Sequence, residues 1–254
     1  MNLLLFKLAV APILLTGTTL ATRRWGPTVG GWLVGLPLSS GPISIFLALE
    51  HGPEFAAVSA HGSVSGLVAV AVFCLIYAKC VSSFKWPAAT LLSLAGYFAC
   101  AAVLTVLALP FAWSVGLVVF TLAFFAWLVK PVTVPMKMLA APKWDLPFRM
   151  LAATALVLII TAASEHLGPE LSGLLSTFPV FISVISAFSH GIYGASVTRK
   201  FERGVFVGSY AFTTFFVVVS LTIQHWPLLL VYSAALIAAL CMNVVVYVYQ
   251  SKFG

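Results

Sequence analysis

Residues 26–37 read G-P-T-V-G-G-W-L-V-G-L-P and residues 168–179 read G-P-E-L-S-G-L-L-S-T-F-P, so both fit G-P-x-x-x-G-x-L-x-x-x-P. After each copy the apolar run ends in His-Gly, at His51-Gly52 and His190-Gly191. A later segment opens with Trp-Pro, at Trp86-Pro87 and again at Trp226-Pro227. Three landmarks recurring in one order predict a duplicated chain. In a membrane, duplication of this kind places a binding site where the halves meet.

The rest of the chain has the composition of a membrane protein. Of its 254 residues 62% are hydrophobic and only 7% charged, with a mean hydropathy of +1.11, too apolar for a water-soluble core. Apolar runs of roughly 20 residues suffice to cross about 30 Å of hydrocarbon as helix, and no stretch between them is long enough for a soluble domain. Spans are expected at about 3–22, 27–49, 54–78, 87–109, 111–129, 147–164, 169–190, 203–223 and 227–249, about nine transmembrane helices in an all-α polytopic fold. The first apolar run precedes its basic pair, Arg23-Arg24, instead of following one, so it reads as a span and not a secretory signal.

The net charge of +7 does not point to nucleic acid, because Lys and Arg cluster in short loops beside apolar runs, where they act as topology signals. Arg23 and Arg24, Lys79 and Lys85, Lys130 to Arg149, Arg199 to Arg203, and Lys252 all fall on one side of the predicted fold. The positive-inside bias makes that side the cytoplasm, with the N-terminus outside and the C-terminus inside, as in a bacterial inner-membrane protein. Lys7 alone dissents, and a lysine near a helix end can snorkel. With this count the helices preceding the two motifs run in opposite directions, so the repeats are expected to be inverted. Residues 1–110 form the first four-helix membrane repeat, 111–146 a connecting helix and cytoplasmic linker, and 147–254 the second repeat. Cys74, Cys80, Cys100 and Cys241 form no C-x-x-C pair, so neither a disulfide framework nor a zinc site is expected.

In each motif Gly-Pro stands at a helix entrance and a second proline follows deep in the span, where it frees a carbonyl and interrupts the helix. Such backbone is tolerated at membrane depth only when buried in protein or lining a wet cavity. Facing half-helix ends, glycines and hydroxyls then define a substrate site from Gly31, Gly35, Pro37, Ser39 and Ser40 in one copy and Gly173, Ser176, Thr177, Pro179 and Ser183 in the other. The plainer reading is that these small residues only let helices pack closely. Glu50, His51, Glu54, Glu165 and His166 map to the outer side, with His61 two turns inside its helix. Together they read as a proton-coupling group or gate, histidine titrating near neutral pH, or simply as polar loop residues. None has H-E-x-x-H spacing, so neither metal nor cofactor is expected. The Arg199–Arg203 cluster reads as a topology determinant or a contact for anionic lipid headgroups.

On Gly31 to Gly52 and Gly173 to Gly191, with G-x-L-x-x-x-P, a hydrophobic stretch and then His-Gly, the chain resembles the small GlpM-type bacterial inner-membrane proteins. Each of those is about the size of one repeat, so the resemblance implies two such units fused. By name it points to glycerol metabolism and alginate production, hence to envelope physiology. The G-G-x-L-x-x-x-P run alone is similar to sulfite-exporter-type permeases, a pattern from which the second half departs.

The expected function is therefore a secondary transporter or flippase moving a small solute or lipid-linked headgroup by alternating access of the halves. The alternatives are a passive channel of the same pseudo-symmetry and a non-transporting accessory subunit of envelope polysaccharide biosynthesis. No catalytic constellation lies at membrane depth, so an enzyme is not expected. The partners implied are membrane lipid and the substrate, and further copies of the chain remain open.

Overall fold

The computed structural model describes residues 3–38, 40–132, 141–176 and 178–253, and among them the side chains of 12–38, 40–132, 141–160, 178–246 and 248. Helices succeed one another as α1 (Leu3–Trp25), α2 (Pro27–Val34), α3 (Ser40–Cys80), α4 (Trp86–Leu107), α5 (Phe111–Leu128), α6 (Asp145–Ser176), α7 (Val180–Tyr193), α8 (Ala195–Thr222) and α9 (Leu228–Phe253). Among the described residues there is no strand, and α3, α4, α5, α8 and the 228–246 part of α9 are long and apolar enough to cross a membrane. The chain is a helical membrane protein.

Both prolines interrupt their helices. Pro37 lacks the N–H that would bond the Leu33 carbonyl, and its ring would strike that carbonyl in a continuous helix. Leu36 N bonds Leu33 O instead, at 3.1 Å. Helix is lost at Gly35 and resumes at Ser40, with Leu38 N on Leu36 O at 2.8 Å and Gly41 N on Pro37 O at 2.9 Å. The second break repeats this bonding: Val180 N meets Phe178 O at 2.8 Å and Ser183 N meets Pro179 O at 2.9 Å. At about 1.5 Å per residue α2 is only about 12 Å long and cannot cross the bilayer without the helix beyond the break.

That second stretch is the first limb of α3, residues 40–51, which ends where Gly52 takes φ 85° and ψ 172°. Its counterpart α7 ends at Gly194, φ 82° and ψ −174°. Side chains with a Cβ avoid this left-handed region, so a glycine at each corner permits the sharp turn into the next span. The pairs Gly26/Gly168, Pro37/Pro179 and Gly52/Gly194 share one register, 142 residues (168 − 26, 179 − 37, 194 − 52). So do the starts of α1 and α6 (3 and 145), the second limb of α3 and α8 (53–80 and 195–222), and the starts of α4 and α9 (86 and 228).

Three details differ from expectation. The His-Gly and Trp-Pro landmarks are 139 and 140 residues apart (190 − 51, 226 − 86), so they are not equivalent positions. The boundary expected near 165–168 is absent: the backbone of α6 is helical from Asp145 to Ser176, whereas at Gly26-Pro27 the glycine takes φ 96° and α1 gives way to α2. Finally, α8 begins at Ala195 instead of about 203, which moves Arg199, Glu202 and Arg203 from a presumed loop edge into helix.

The centre of the bundle is α3 packed against α8, whose most apolar windows are 56% and 61% buried, against 17–22% for α4, α5 and α9. The second limb of α3 and α8 run antiparallel. Arg199 at the start of α8 donates to Ala78 O near the end of α3, and Ser220 near the end of α8 reaches Ala57 O. Helix α2 lies on α8 with backbone touching backbone. A Cβ on Gly31 or Gly35 would overlap Phe201 O or the Gly208 backbone, and one on Gly204 or Gly208 would overlap Thr28 O or Trp32 O. Two reciprocal G-x-x-x-G pairs make this contact, a close approach that membranes favour because apolar burial does not drive helices together there.

Candidate functional site

Helix α7 carries a hydroxyl stripe. Ser183, Ser186 and Ser189, spaced at three residues, are all buried, and His190 lies one turn beyond Ser186 on the same face. Opposite them stands Glu202 of α8, with none of its surface exposed. Ser186 Oγ donates to Glu202 Oε1 at 2.5 Å. Cys74 of α3 faces the same carboxyl, yet Oε2 is buried and makes no hydrogen bond among the described residues. Ser189 Oγ is likewise buried and unbonded. An uncompensated polar atom inside a bilayer protein costs several kcal/mol, so this cluster is maintained against its own cost.

One turn from Cys74, Tyr77 Oη lies 3.4 Å from His190 Nδ1 and 3.3 Å from Thr90 Oγ1. His190 is half-buried and lines an open cleft of about 300 Å³ with Lys85, Trp86, Pro87 and Gly191. Two polar layers are thus stacked: Cys74, Glu202 and Ser186 in the interior, and Tyr77 with His190 between them and the cleft.

The cations beside Glu202 are held elsewhere. Arg199 bonds Ala78 O at 3.2 Å and Ser82 Oγ at 2.7 Å, while Arg203 bonds Ala126 O at 2.9 Å and Val129 O at 2.6 Å. Both guanidinium groups cap the carbonyl ends of α3 and α5, where a cation also complements the helix dipole. A separate ionic cluster joins α1 to α6. Asp145 Oδ2 accepts from Arg23 at 2.5 Å and Oδ1 from Arg149 Nε at 2.7 Å, and Arg149 also stands 5.3 Å from the centre of the Phe188 ring. Asp145 and Arg149 are buried.

The expected site residues divide. Gly31 and Gly35 are pressed onto α8 and leave no space for a solute, so in this conformation their part is packing. Pro37 and Ser40 are half-buried at the first break; Pro179 is buried at the second, and Ser183 Oγ donates to Val180 O at 2.9 Å. Ser39 and Thr177 lie outside the described residues, as do the side chains of Ser176, Glu165 and His166 and the surroundings of Gly173. Glu50, His51 and Glu54 are exposed around the Gly52 corner, with the His51 ring 4.8 Å from Phe55. His61 is apart from them: its Nε2 lies 3.2 Å from Ser114 Oγ, which also accepts from Ser65. Among the described residues no hydrogen bond or ion pair joins Glu50, His51, Glu54 and His61 to one another.

Cys74, Tyr77 and Glu202 were not anticipated. The signal available was the serine spacing on 183–190, a helical face that needs a polar partner. Among the described residues no three His, Cys, Asp or Glu side chains gather at metal-binding distance. No protein-family model, no curated protein and no solved structure matches the chain.

Proposed function

We propose that the chain is a secondary transporter or flippase of a bacterial inner membrane, moving a small solute or lipid-linked headgroup by alternating access of two inverted repeats. The observation that carries this reading is the 142-residue register with its two matched breaks, taken with the antiparallel course of the equivalent helices 53–80 and 195–222. Equivalent segments that cross in opposite directions are what inversion requires, and paired interrupted helices are how transporters of this design bind at mid-membrane. Nine crossings remain part of this proposal, with α2 and the limb 40–51 together making one of them.

Sidedness follows from charge. Arg23 meets Asp145 at the start of α6, Arg199 and Lys79 meet the ends of α3 and α5, and Arg203 caps α5, so these cations share one end of the bundle. The positive-inside bias assigns that end to the cytoplasm and puts the N-terminus outside. The exposed Trp25, Trp86 and Trp226 at helix ends fit interfacial anchoring.

The test is a thermal-shift screen of the protein in nanodiscs against metabolites and lipid-linked sugar precursors, followed by flux in proteoliposomes with each stabilising compound. Binding to the folded state raises the transition with occupancy. We expect saturable flux that Ser40→Trp abolishes without loss of the folded protein. Unsaturable flux makes the chain a channel, and a stoichiometric protein partner with no flux makes it an accessory subunit.

A further inference from the structure

We propose that Glu202 is a proton-binding site, loaded from the cleft beside Trp86 through His190 and Tyr77. Three observations on separate helices converge on it. The carboxyl is wholly enclosed with a single hydroxyl partner, and its second oxygen is unbonded among the described residues. Cys74 and Tyr77, three residues apart on α3, extend from that carboxyl to His190. His190 itself opens onto a cleft of about 300 Å³ at the cationic end of the bundle.

A buried carboxylate deprived of a cation costs several kcal/mol. The charged and titratable groups around Glu202 do not supply one. From α3 come Cys74 and Tyr77, with Lys79 at the end of that helix held on Leu128 O; from α7 come His190 and Tyr193; and from α9 comes Tyr232, which is bonded to Ser44. Helices α2 and α5 carry no ionisable side chain. On α8 itself Arg199 and Arg203 are committed to carbonyls of α3 and α5, Lys200 is two residues from Glu202, a spacing that does not bring side chains face to face on a helix, and Tyr210 lies two turns further along the helix. A proton, needing one oxygen, satisfies this carboxyl. A hard metal cation takes six or more oxygens, far more than one carboxyl and its neighbouring hydroxyls offer.

The transfer balances simply. A proton from water in the cleft binds the His190 imidazole, the Tyr77 hydroxyl passes its own proton to the Cys74 sulfur as the Cys74 thiol gives its proton to the Glu202 carboxylate, and Tyr77 recovers one from His190. The net change is one proton removed from the cleft and one carboxylate converted to carboxylic acid. Reversing the steps releases it. If the chain transports as proposed above, and coupling rests on that reading, loading Glu202 neutralises an acid buried between α3 and α8 and biases the two arrangements of the halves.

Infrared titration of the whole protein in nanodiscs tests this. We expect a protonated-carboxyl C=O band that titrates with pH and disappears in Glu202→Gln, an isosteric change checked for a monodisperse fold. After a pH jump, His190→Ala and Tyr77→Phe should slow its appearance at least tenfold while leaving its final size unchanged. Absence of a titrating band assigned to Glu202 overturns the site, and so does its removal by sodium chloride at constant pH. Unaltered rates in both variants overturn the route. If the band titrates but no compound is transported, the transporter reading fails and the proton site stands. Flux indifferent to Glu202→Gln overturns the coupling.

Discussion

The two halves of this molecule share the breaks at Pro37 and Pro179 and the corners at Gly52 and Gly194, and differ in what they bury. At equal register, Ala48 stands where the second half has His190, and Ala60 where it has Glu202, and both alanines are buried. Ser44 and Ser186 occupy equivalent places, yet Ser44 meets the Tyr232 hydroxyl at 2.9 Å and Ser186 meets a carboxylate at 2.5 Å. Of the residues common to both halves, proline at the break and glycine at the corner have the backbone properties that set the path of the chain. The residues that differ carry the chemistry. The second half buries a carboxyl in its core at a register position where the first half has alanine.

The comparison can be broken most severely at the helix contacts. Gly204 and Gly62 are register equivalents, but a Cβ at 204 would overlap the Thr28 carbonyl, whereas at 62 it meets nothing within 4 Å among the described residues. Gly204→Ala should therefore destabilise by about 3 kcal/mol or more, the upper range for overpacking. Gly62→Ala should stay within about 0.5 kcal/mol as expected of an open site. Equilibrium unfolding in mixed detergent measures both, and equal losses would mean that the α2–α8 contact is not special to one side.

Next in size is the ionic cluster, whose first-half register positions are Leu3 and Lys7. Asp145→Ala leaves Arg149 buried without its acid and should cost about 3–5 kcal/mol, while replacing both residues by leucine should recover most of the loss. A double-mutant cycle on unfolding free energies reads this directly. Smaller, and predicted to be equal, are the two corners. Gly52→Ala and Gly194→Ala each force a Cβ into left-handed backbone and should each cost about 1–2 kcal/mol. A loss at only one corner would show that the turns are not equivalent. Among the buried polar contacts the least effect is expected at Ser44→Ala, which forfeits one neutral hydrogen bond worth about 1 kcal/mol. Ser186→Ala should cost more, about 1–3 kcal/mol, because it leaves a buried carboxyl oxygen unpartnered.

Much of the frame was legible because proline and glycine act locally. Pro37 and Pro179 announce a break from their own missing N–H, and hydropathy alone locates most spans. His-Gly and Trp-Pro misled because those side chains have no backbone consequence, so their near-repetition carried no register. Glu202 was illegible for a different reason. Its meaning depends on Cys74 and Ser186, brought to it by tertiary packing, and its charged neighbours Arg199 and Arg203 look like a loop until the ends of α3 and α5 are present to take them. The glycine pair 204 and 208 follows the same rule, since its partner on α2 is about 175 residues away in the chain (208 − 33).

The inversion of the halves is most directly tested by labelling the two corners. Glu54 and Ser196 are exposed and follow Gly52 and Gly194 by two residues each. In a chain with Cys80, Cys100 and Cys241 replaced by alanine, a membrane-impermeant maleimide should modify Glu54→Cys in intact cells and Ser196→Cys only after permeabilisation. Modification of both from the same side would contradict the account.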